Sequence, residues 1–155
     1  MSMTTWAQFE NEARDLAATV RARFEAAETH VLATLRKDGS PRVSGSEVQF
    51  TGRRLTFGSM LNAVKARDLR RDGRCAIHAN PSPDARDLGD AKVAGIAIEV
   101  TGEAKDAYAT GNEPGVDFHA FRLDLTEAVV TSVEGDELVI RVWHPGQGVQ
   151  AFRRK

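Results

Sequence analysis

Hydrophobic and polar positions divide the chain into a helical first segment and a series of short strands. Apolar residues recur at helical spacing between Thr5 and Glu28, which predicts one amphipathic helix. Thr5 and Gln8 have the spacing of a capping box at its start. The apolar stripe consists of Trp6, Phe9, Ala13, Leu16, Val20, Phe24 and Ala27. A stripe this regular indicates packing against a sheet face or a partner chain.

The rest of the chain has the alternation and turn residues of a β-rich domain. Tight turns are predicted at Asp38-Gly39, at Thr51-Gly52-Arg53 and at Glu134-Gly135-Asp136. Gly95 interrupts one strand, which indicates a bulge or a close ligand approach, and a later strand is predicted to bend near Thr126-Glu127. The predicted strands are Val31 to Arg36, Pro41 to Phe50, Leu55 to Met60, Cys75 to Ala79, Lys92 to Thr101, Phe121 to Val133, Glu137 to Trp143 and Val149 to Arg153. A short helix at Asp106 to Ala109 and a loop at Thr110 to Val116 complete the pattern. These elements predict a small α+β barrel.

A second helix is predicted after the third strand, and it contains a cation in an unusual position. Asn62 is placed as its N-cap, Gly73 as its C′ residue, and Arg70 and Arg71 in its last turn, where the helix dipole favours them. Lys65 is then at N3, where the dipole disfavours a cation. Lys65 either joins the strand end at Ser59 in an anion site or extends along its stem to solvent.

Composition and charge exclude several classes of protein. The 155 residues suit one domain, with residues 1–29 as the helical segment and 30–155 as the barrel. A net charge of −1 argues against a nucleic-acid binder. The single cysteine, Cys75, allows no intramolecular disulfide and no thiolate metal cluster. No apolar run reaches membrane-spanning length, and no secretory pattern opens the chain, so a cytoplasmic location is expected.

The order of three motifs resembles the pyridoxamine 5′-phosphate oxidase-like family. These are Leu32-Ala33-Thr34 followed by Asp38-Gly39-Ser40-Pro41, then Leu55-Thr56-Phe57, then the basic helix from Lys65 to Asp72. The resemblance extends from about residue 31 to the C-terminus. It implies a six-stranded antiparallel split β-barrel with flanking helices, of the FMN-binding type. It also implies a homodimer with a flavin at the interface and a small-molecule substrate.

The resemblance also implies cofactor-binding residues. By order and spacing, Arg42, Ser59 and Lys65 occupy positions that meet the cofactor phosphate in the family. The chain departs from the pattern at Glu47 and Val64, where the family has cations. Asp90 stands about where a glutamine of the family contacts the ring.

A branch of the superfamily that uses the deazaflavin F420 often contains a Lys-x-Arg-x-Leu-Arg-Arg-Asp helix. The segment from Lys65 to Asp72 is similar, which adds Arg67 to the candidates and leaves the choice between FMN and F420 open.

Each candidate also has a purely structural interpretation. Ser59 can be a strand-end cap, Arg42 a solvated strand residue, and Arg67 part of a solvated helix face. No nucleophile–base pair and no metal triad is visible, as expected when the chemistry belongs to a cofactor. Two functions follow: an FMN- or F420-dependent oxidoreductase that transfers hydride to or from a small organic substrate, or a non-catalytic cofactor-binding or carrier protein.

Overall fold

The computed structural model describes residues 4–81, 89–108 and 115–155. The predicted loop at 110–116 and the loop between Pro81 and Asp90 therefore lie largely outside the described residues. The elements in chain order are α1 Thr5–Glu12, α2 Arg14–Glu25, β1 His30–Leu35, β2 Pro41–Ser46, β3 Gln49–Thr51, β4 Arg54–Met60, α3 Val64–Arg71, β5 Arg74–His78, β6 Asp90–Val100, a 3₁₀ helix Gly102–Tyr108, β7 Phe118–Glu134, β8 Glu137–Trp143 and β9 Val149–Arg154.

Six antiparallel strands form the barrel in the order β2-β1-β5-β6-β7-β4, and β3 adds to β4 at one end of this order. The first half of the long strand β7 pairs with β4, while its second half pairs with β8, which in turn pairs with β9. The two ends of the order, β2 and β4, approach each other without a ladder between them among the described residues. The expected α+β split barrel is confirmed.

The N-terminal segment is two helices, so the prediction of one helix from Thr5 to Glu28 was wrong. The chain leaves helical geometry at Ala13, with φ −148° and ψ 61°, and α2 begins at the next residue. The break lets α1 pack on β4 and β7 while α2 packs on β6 and β7, so the apolar stripe follows a curved sheet. The N-cap of α1 is Thr4, whose hydroxyl accepts from the Ala7 N–H at 3.1 Å, and not the predicted Thr5.

The bulge predicted at Gly95 is present. The β6–β7 register shifts between Ala94 and Gly95, which leaves Thr126 as the extra residue in β7. A Cβ at Gly95 would lie 2.1 Å from the Asp124 carbonyl oxygen, so the close approach of two strands requires glycine here.

The ends of α3 differ from the prediction. Its N-cap is Ala63, without a side-chain cap, and Asn62 has a left-handed φ of 64°. Lys65 is therefore at N2 and not at N3. The C-cap is Asp72 in an extended conformation. Glycine is needed at position 73 because the backbone of Ala97 comes close, and not because of a C′ turn. A Cβ there would lie 2.6 Å from the Ala97 carbonyl oxygen.

The core lies between the concave face of the sheet and the two N-terminal helices. Trp143 is fully buried and its ring packs on Phe9 with centroids 4.6 Å apart, so it is a core residue. Burial raises the pKa of the Cys75 thiol to about 12, which makes Cys75 an inert apolar residue. Among the residues described, no helix is long and apolar enough to cross a membrane.

Candidate functional site

A pocket of about 440 Å³ lies where the ends of β2 and β4 meet the start of α3. It occupies the split of the barrel, so backbone groups that would pair in a closed sheet border it instead. The residues that line it are Thr29, Gly45, Ser46, Glu47, Gln49, Gly58, Ser59, Met60, Lys65, Tyr108 and Phe118. Two of the four predicted site residues, Ser59 and Lys65, are in this set.

Lys65 reaches across the split from α3 to β2. Its ammonium donates a hydrogen bond to the Gly45 carbonyl oxygen at 2.8 Å. Burial lowers the pKa of Lys65, and the carboxylate of Glu47 opposes that shift only in part. An ammonium has three donors, so this half-buried cation can accept an anion as a further partner.

Two serine hydroxyls and the helix start add donors to the same pocket. Ser46 and Ser59 are both buried, and their hydroxyls donate to the next residue's carbonyl oxygen at 3.3 and 3.2 Å. These distances are long for an O–H···O bond, so the hydroxyls can turn to a ligand at little cost. Helix α3 begins without a side-chain cap, which leaves first-turn N–H groups for an acceptor.

The far wall of the pocket is aromatic. Tyr108, at the end of the 3₁₀ helix, is buried, and Phe118 at the start of β7 packs beside it. Neither residue could be selected from the sequence alone. The order of strands in the sheet decides which elements lie next to their two segments. The pocket therefore combines polar groups, Lys65 among them, with aromatic surface, and the Lys105 ammonium lies 4.8 Å from the centroid of the Phe118 ring. This combination suits a ligand with an anionic group attached to a flat ring.

Arg42 and Arg67 lie outside this pocket, on the other side of α3. The Nε of Arg42 donates to the Asp68 carboxylate at 2.8 Å, so Arg42 is neither a solvated strand residue nor beside Lys65. Arg67 is exposed. Arg71 lies in the last turn of α3, as predicted, and it also bonds to Asp68 and to the Leu35 carbonyl oxygen.

A buried histidine supports the loop that joins β4 to α3. The Nε2 of His119 accepts the Asn62 N–H at 3.2 Å, and its Nδ1 lies 3.1 Å from Glu99. Burial raises the pKa of Glu99, but the bonds from Arg70 and His119 outweigh burial and lower it. This chain of contacts fixes the turn that carries Met60 and precedes Lys65.

The residues of the pocket fit the phosphate end of a flavin nucleotide. The observation that tests this is the donor set: one desolvated ammonium and two weakly bonded hydroxyls line one cavity, and Lys65 belongs to the first turn of a helix without a side-chain cap. The carboxylate of Glu47 on the rim repels an anion. The pocket is therefore less positively charged than a site with several cations.

An antiparallel barrel split between two strands, with a helix at the opening, defines the split-barrel class of α+β domain. Within that class, the family model described as pyridoxamine 5′-phosphate oxidase matches residues 16–131. The chain therefore belongs to the pyridoxamine 5′-phosphate oxidase-like family, as the sequence motifs predicted. No curated protein matches the chain.

Solved structures share the fold at low sequence identity. PhzG from Burkholderia lata 383, in complex with tetrahydrophenazine-1-carboxylic acid, is 16% identical, with TM-score 0.65 over 92% of this chain and 89% of that one. A pyridoxamine 5′-phosphate oxidase-related, FMN-binding protein from Nostoc punctiforme PCC 73102 is 14% identical, with TM-score 0.67 over 92% and 96%. A heme-binding protein from Mycobacterium smegmatis is 23% identical, with TM-score 0.54 over 87% of this chain and only 57% of that chain.

Proposed function

We propose that this protein is an oxidoreductase that binds FMN at the split of the barrel and transfers hydride to or from a small organic substrate. The observation that carries the proposal is the half-buried Lys65 ammonium, which reaches across the barrel split to the Gly45 carbonyl oxygen and whose pKa is lowered by burial. Family membership and the FMN-binding neighbour from Nostoc punctiforme support the choice of cofactor.

The chain's own residues bind and orient in this proposal. Lys65, Ser59 and the start of α3 hold the phosphate, and Ser46 supplies a further hydroxyl. Tyr108 and Phe118 form an aromatic wall. The flavin ring would pack against this wall, and the contact would exclude water from between them. The bound flavin supplies the hydride chemistry, which agrees with a pocket that contains no nucleophile paired with a base among its described residues.

Two alternatives remain within the same site. F420 also carries a phosphate, so the same donor set serves it equally. The other is a non-catalytic cofactor-binding or carrier role, because Glu47 and Val64 stand where the family has cations and leave gaps in the site.

The test is a titration of the purified protein with FMN and, separately, with F420, followed by the cofactor's fluorescence. Lys65→Met should weaken binding of the preferred cofactor by about 1.5–3 kcal/mol, or roughly ten- to a hundredfold, the scale of a hydrogen bond to a charged group. The apo variant should melt close to the parent, since loss of the bond to Gly45 is offset by removal of a desolvated charge. Arg154→Gln, which removes an exposed cation from β9, is the matched control and should bind like the parent.

Three results would contradict the proposal. One is the absence of binding by either cofactor. A second is a Lys65→Met variant that binds normally but melts early, which would make Lys65 structural. A third is a heme absorbance spectrum in the protein as purified, which would place this chain nearer in function to its heme-binding neighbour. Turnover of a substrate by the loaded protein then separates the oxidoreductase from the carrier.

A further inference from the structure

A second concave surface, of about 590 Å³, lies between the β1–β2 hairpin and α3. Five of the residues that line it are cations, namely Arg36, Lys37, Arg42, Arg67 and Arg71. We call these five residues the arginine surface. Only two acidic residues, Asp38 and Asp68, line it with them. This local excess of positive charge occurs on a chain whose net charge is −1.

Both carboxylates are bound by neighbouring groups and offset part of this charge, but five cations and two carboxylates leave the arginine surface with a net formal charge of +3. Asp68 is 2% exposed and accepts from Thr34 at 2.8 Å, from Arg42 at 2.8 Å and from Arg71 at 2.9 Å. Asp38 accepts from the backbone N–H and the hydroxyl of Ser40, at 2.9 and 2.6 Å.

The buried carboxylate of Asp68 also fixes the orientation of two guanidinium groups. Arg42 bonds through Nε, so its terminal nitrogens remain for another acceptor. Arg71 bonds through one terminal nitrogen to Asp68 and to the Leu35 carbonyl oxygen, 2.7 Å away. A ligand that binds these arginines does not have to order them first, which lowers the entropic cost of binding.

The remaining cations are open to solvent. Arg36 is exposed, and its Nε donates a long bond, 3.4 Å, to the Pro41 carbonyl oxygen. Lys37 and Arg67 are exposed, and within residues 4–81, 89–108 and 115–155 neither forms an ion pair. The hairpin supplies Arg36 and Lys37, and the helix supplies Arg67, so the charges face one another across the concavity.

We propose that the arginine surface is a second anion-binding site, for a small molecule that carries a diphosphate or neighbouring carboxylates. Guanidinium groups match both phosphate and carboxylate oxygens in pairs, and several cations around one concavity favour a multiply charged anion. The site is distinct from the pocket at the barrel split, because different residues line the two concavities. Lys65 lines the pocket, whereas Arg67 belongs to the arginine surface. It is therefore independent of the proposed flavin site.

The experiment uses inorganic pyrophosphate and citrate as probes on the full chain. Calorimetric titration should detect binding of at least one of them above the heat seen with sodium chloride at equal ionic strength. Arg67→Gln and Lys37→Gln should each weaken binding by about tenfold or more, from the energy of a charge-assisted hydrogen bond. Neither variant touches Asp68, so both should fold. If pyrophosphate binds more tightly than citrate, the ligand of the arginine surface carries a diphosphate. If citrate binds more tightly, the ligand carries neighbouring carboxylates.

Two controls separate this site from general charge effects and from the flavin pocket. Arg154→Gln removes one exposed cation elsewhere and should bind the probes like the parent. Lys65→Met removes the share of probe binding that belongs to the pocket at the barrel split, so Arg67→Gln and Lys37→Gln are compared in the Lys65→Met background, where each should still weaken binding. The proposal is overturned if neither probe binds, if Arg154→Gln weakens binding as much as Arg67→Gln does, or if Lys65→Met alone abolishes it. The last result would place the anion in the pocket at the barrel split.

Discussion

Asp68 is a buried carboxylate on α3 that joins three elements through its hydrogen bonds. It binds Thr34 on β1, Arg42 on β2 and Arg71 one turn later on its own helix. Burial by itself raises the pKa of Asp68, but the hydrogen bonds from Arg42, Thr34 and Arg71 outweigh burial and lower that pKa below its usual range. The ionised carboxylate therefore stabilises the fold and holds α3 in the position from which Lys65 reaches β2.

Asp68→Asn should lower the free energy of unfolding by about 3 kcal/mol at neutral pH, the low end of the range for breaking a buried ion pair, because the arginines keep some contact with water. Since the folded-state pKa of Asp68 is lowered, its contribution is present above the unfolded-state pKa of about 3.9 and is lost as the pH falls through the folded value. The difference between parent and variant should therefore shrink below about pH 4. Urea unfolding at pH 7 and at pH 3 measures this.

Asp72→Asn is the matched control for this prediction. Arg74 holds the pKa of Asp72 at about 2, chiefly through a side-chain hydrogen bond, but the pair is on the surface. Exposed ion pairs contribute little to stability, so this variant should unfold close to the parent. Equal unfolding of parent and Asp68→Asn at pH 7 would show that the Asp68 contacts do not hold α3 in place.

At the scale of elements, the bulge between β6 and β7 lies between the two halves of β7, which pair with different strands. β7 pairs with β4 before the bulge and with β8 after it, and the extra residue Thr126 bends the strand between the two halves. This bend turns the β8–β9 hairpin away from the barrel while the first half of β7 stays beside the pocket at Phe118.

Gly95→Ala should destabilise the protein by about 1–3 kcal/mol, since its Cβ would overlap the Asp124 carbonyl and force the two strands apart. Thermal and urea unfolding measure the loss. Gly58→Ala is the control within β4, because its Cβ would make an ordinary 3.5 Å contact with the His119 carbonyl oxygen. Gly58→Ala should be neutral or slightly stabilising. If the two variants unfold alike, the two strands do not approach closely enough at the bulge to exclude a methyl group.

At the scale of the whole molecule, apolar side chains are exposed beside the barrel split. Val43 is 70% exposed and Val31 42% exposed, and the two lie on the same outer face of β1 and β2. Met60, Leu61 and Val64 are also exposed, at the end of β4 and the start of α3, and Met60 lines the pocket. Exposed apolar side chains near a ligand pocket are typical of an interface.

We expect a homodimer that covers this surface. Light scattering at micromolar concentration should give about twice the 16.9 kDa chain mass. Val43→Glu should shift the protein toward monomer and weaken cofactor binding, whereas Val133→Glu, at the far end of β7, should leave the dimer intact. A monomeric parent protein at that concentration would exclude the dimer, and with it a cofactor site shared between two chains.

Local patterns in the sequence determined the elements and the fold class. Alternation and turn residues were sufficient for most strands, and the apolar stripe from Trp6 to Phe24 marked the helical face that is buried. The prediction of one strand from Pro41 to Phe50 was wrong, because β2 ends at Ser46 and pairs with β1, whereas β3 begins at Gln49 and pairs with β4. Gly95 marked the bulge, because a glycine inside a strand weakens it and is usually kept where the strand bulges or another backbone comes close. Motif order selected Ser59 and Lys65 as candidates, and both line one pocket, since they belong to one short strand–helix segment.

Only the tertiary structure decided the break at Ala13, the partner of Arg42 and the walls of the pocket. The helix bends because it must follow a curved sheet, and that curvature is set by strands more than forty residues away. Arg42 and Asp68 are 26 residues apart, and the Gly45 carbonyl that Lys65 reaches is 20 residues away. Tyr108 and Phe118 join the pocket through the pairing of β7 with β4. Hydrophobic periodicity records which face of an element is buried, but it does not record which other element covers that face.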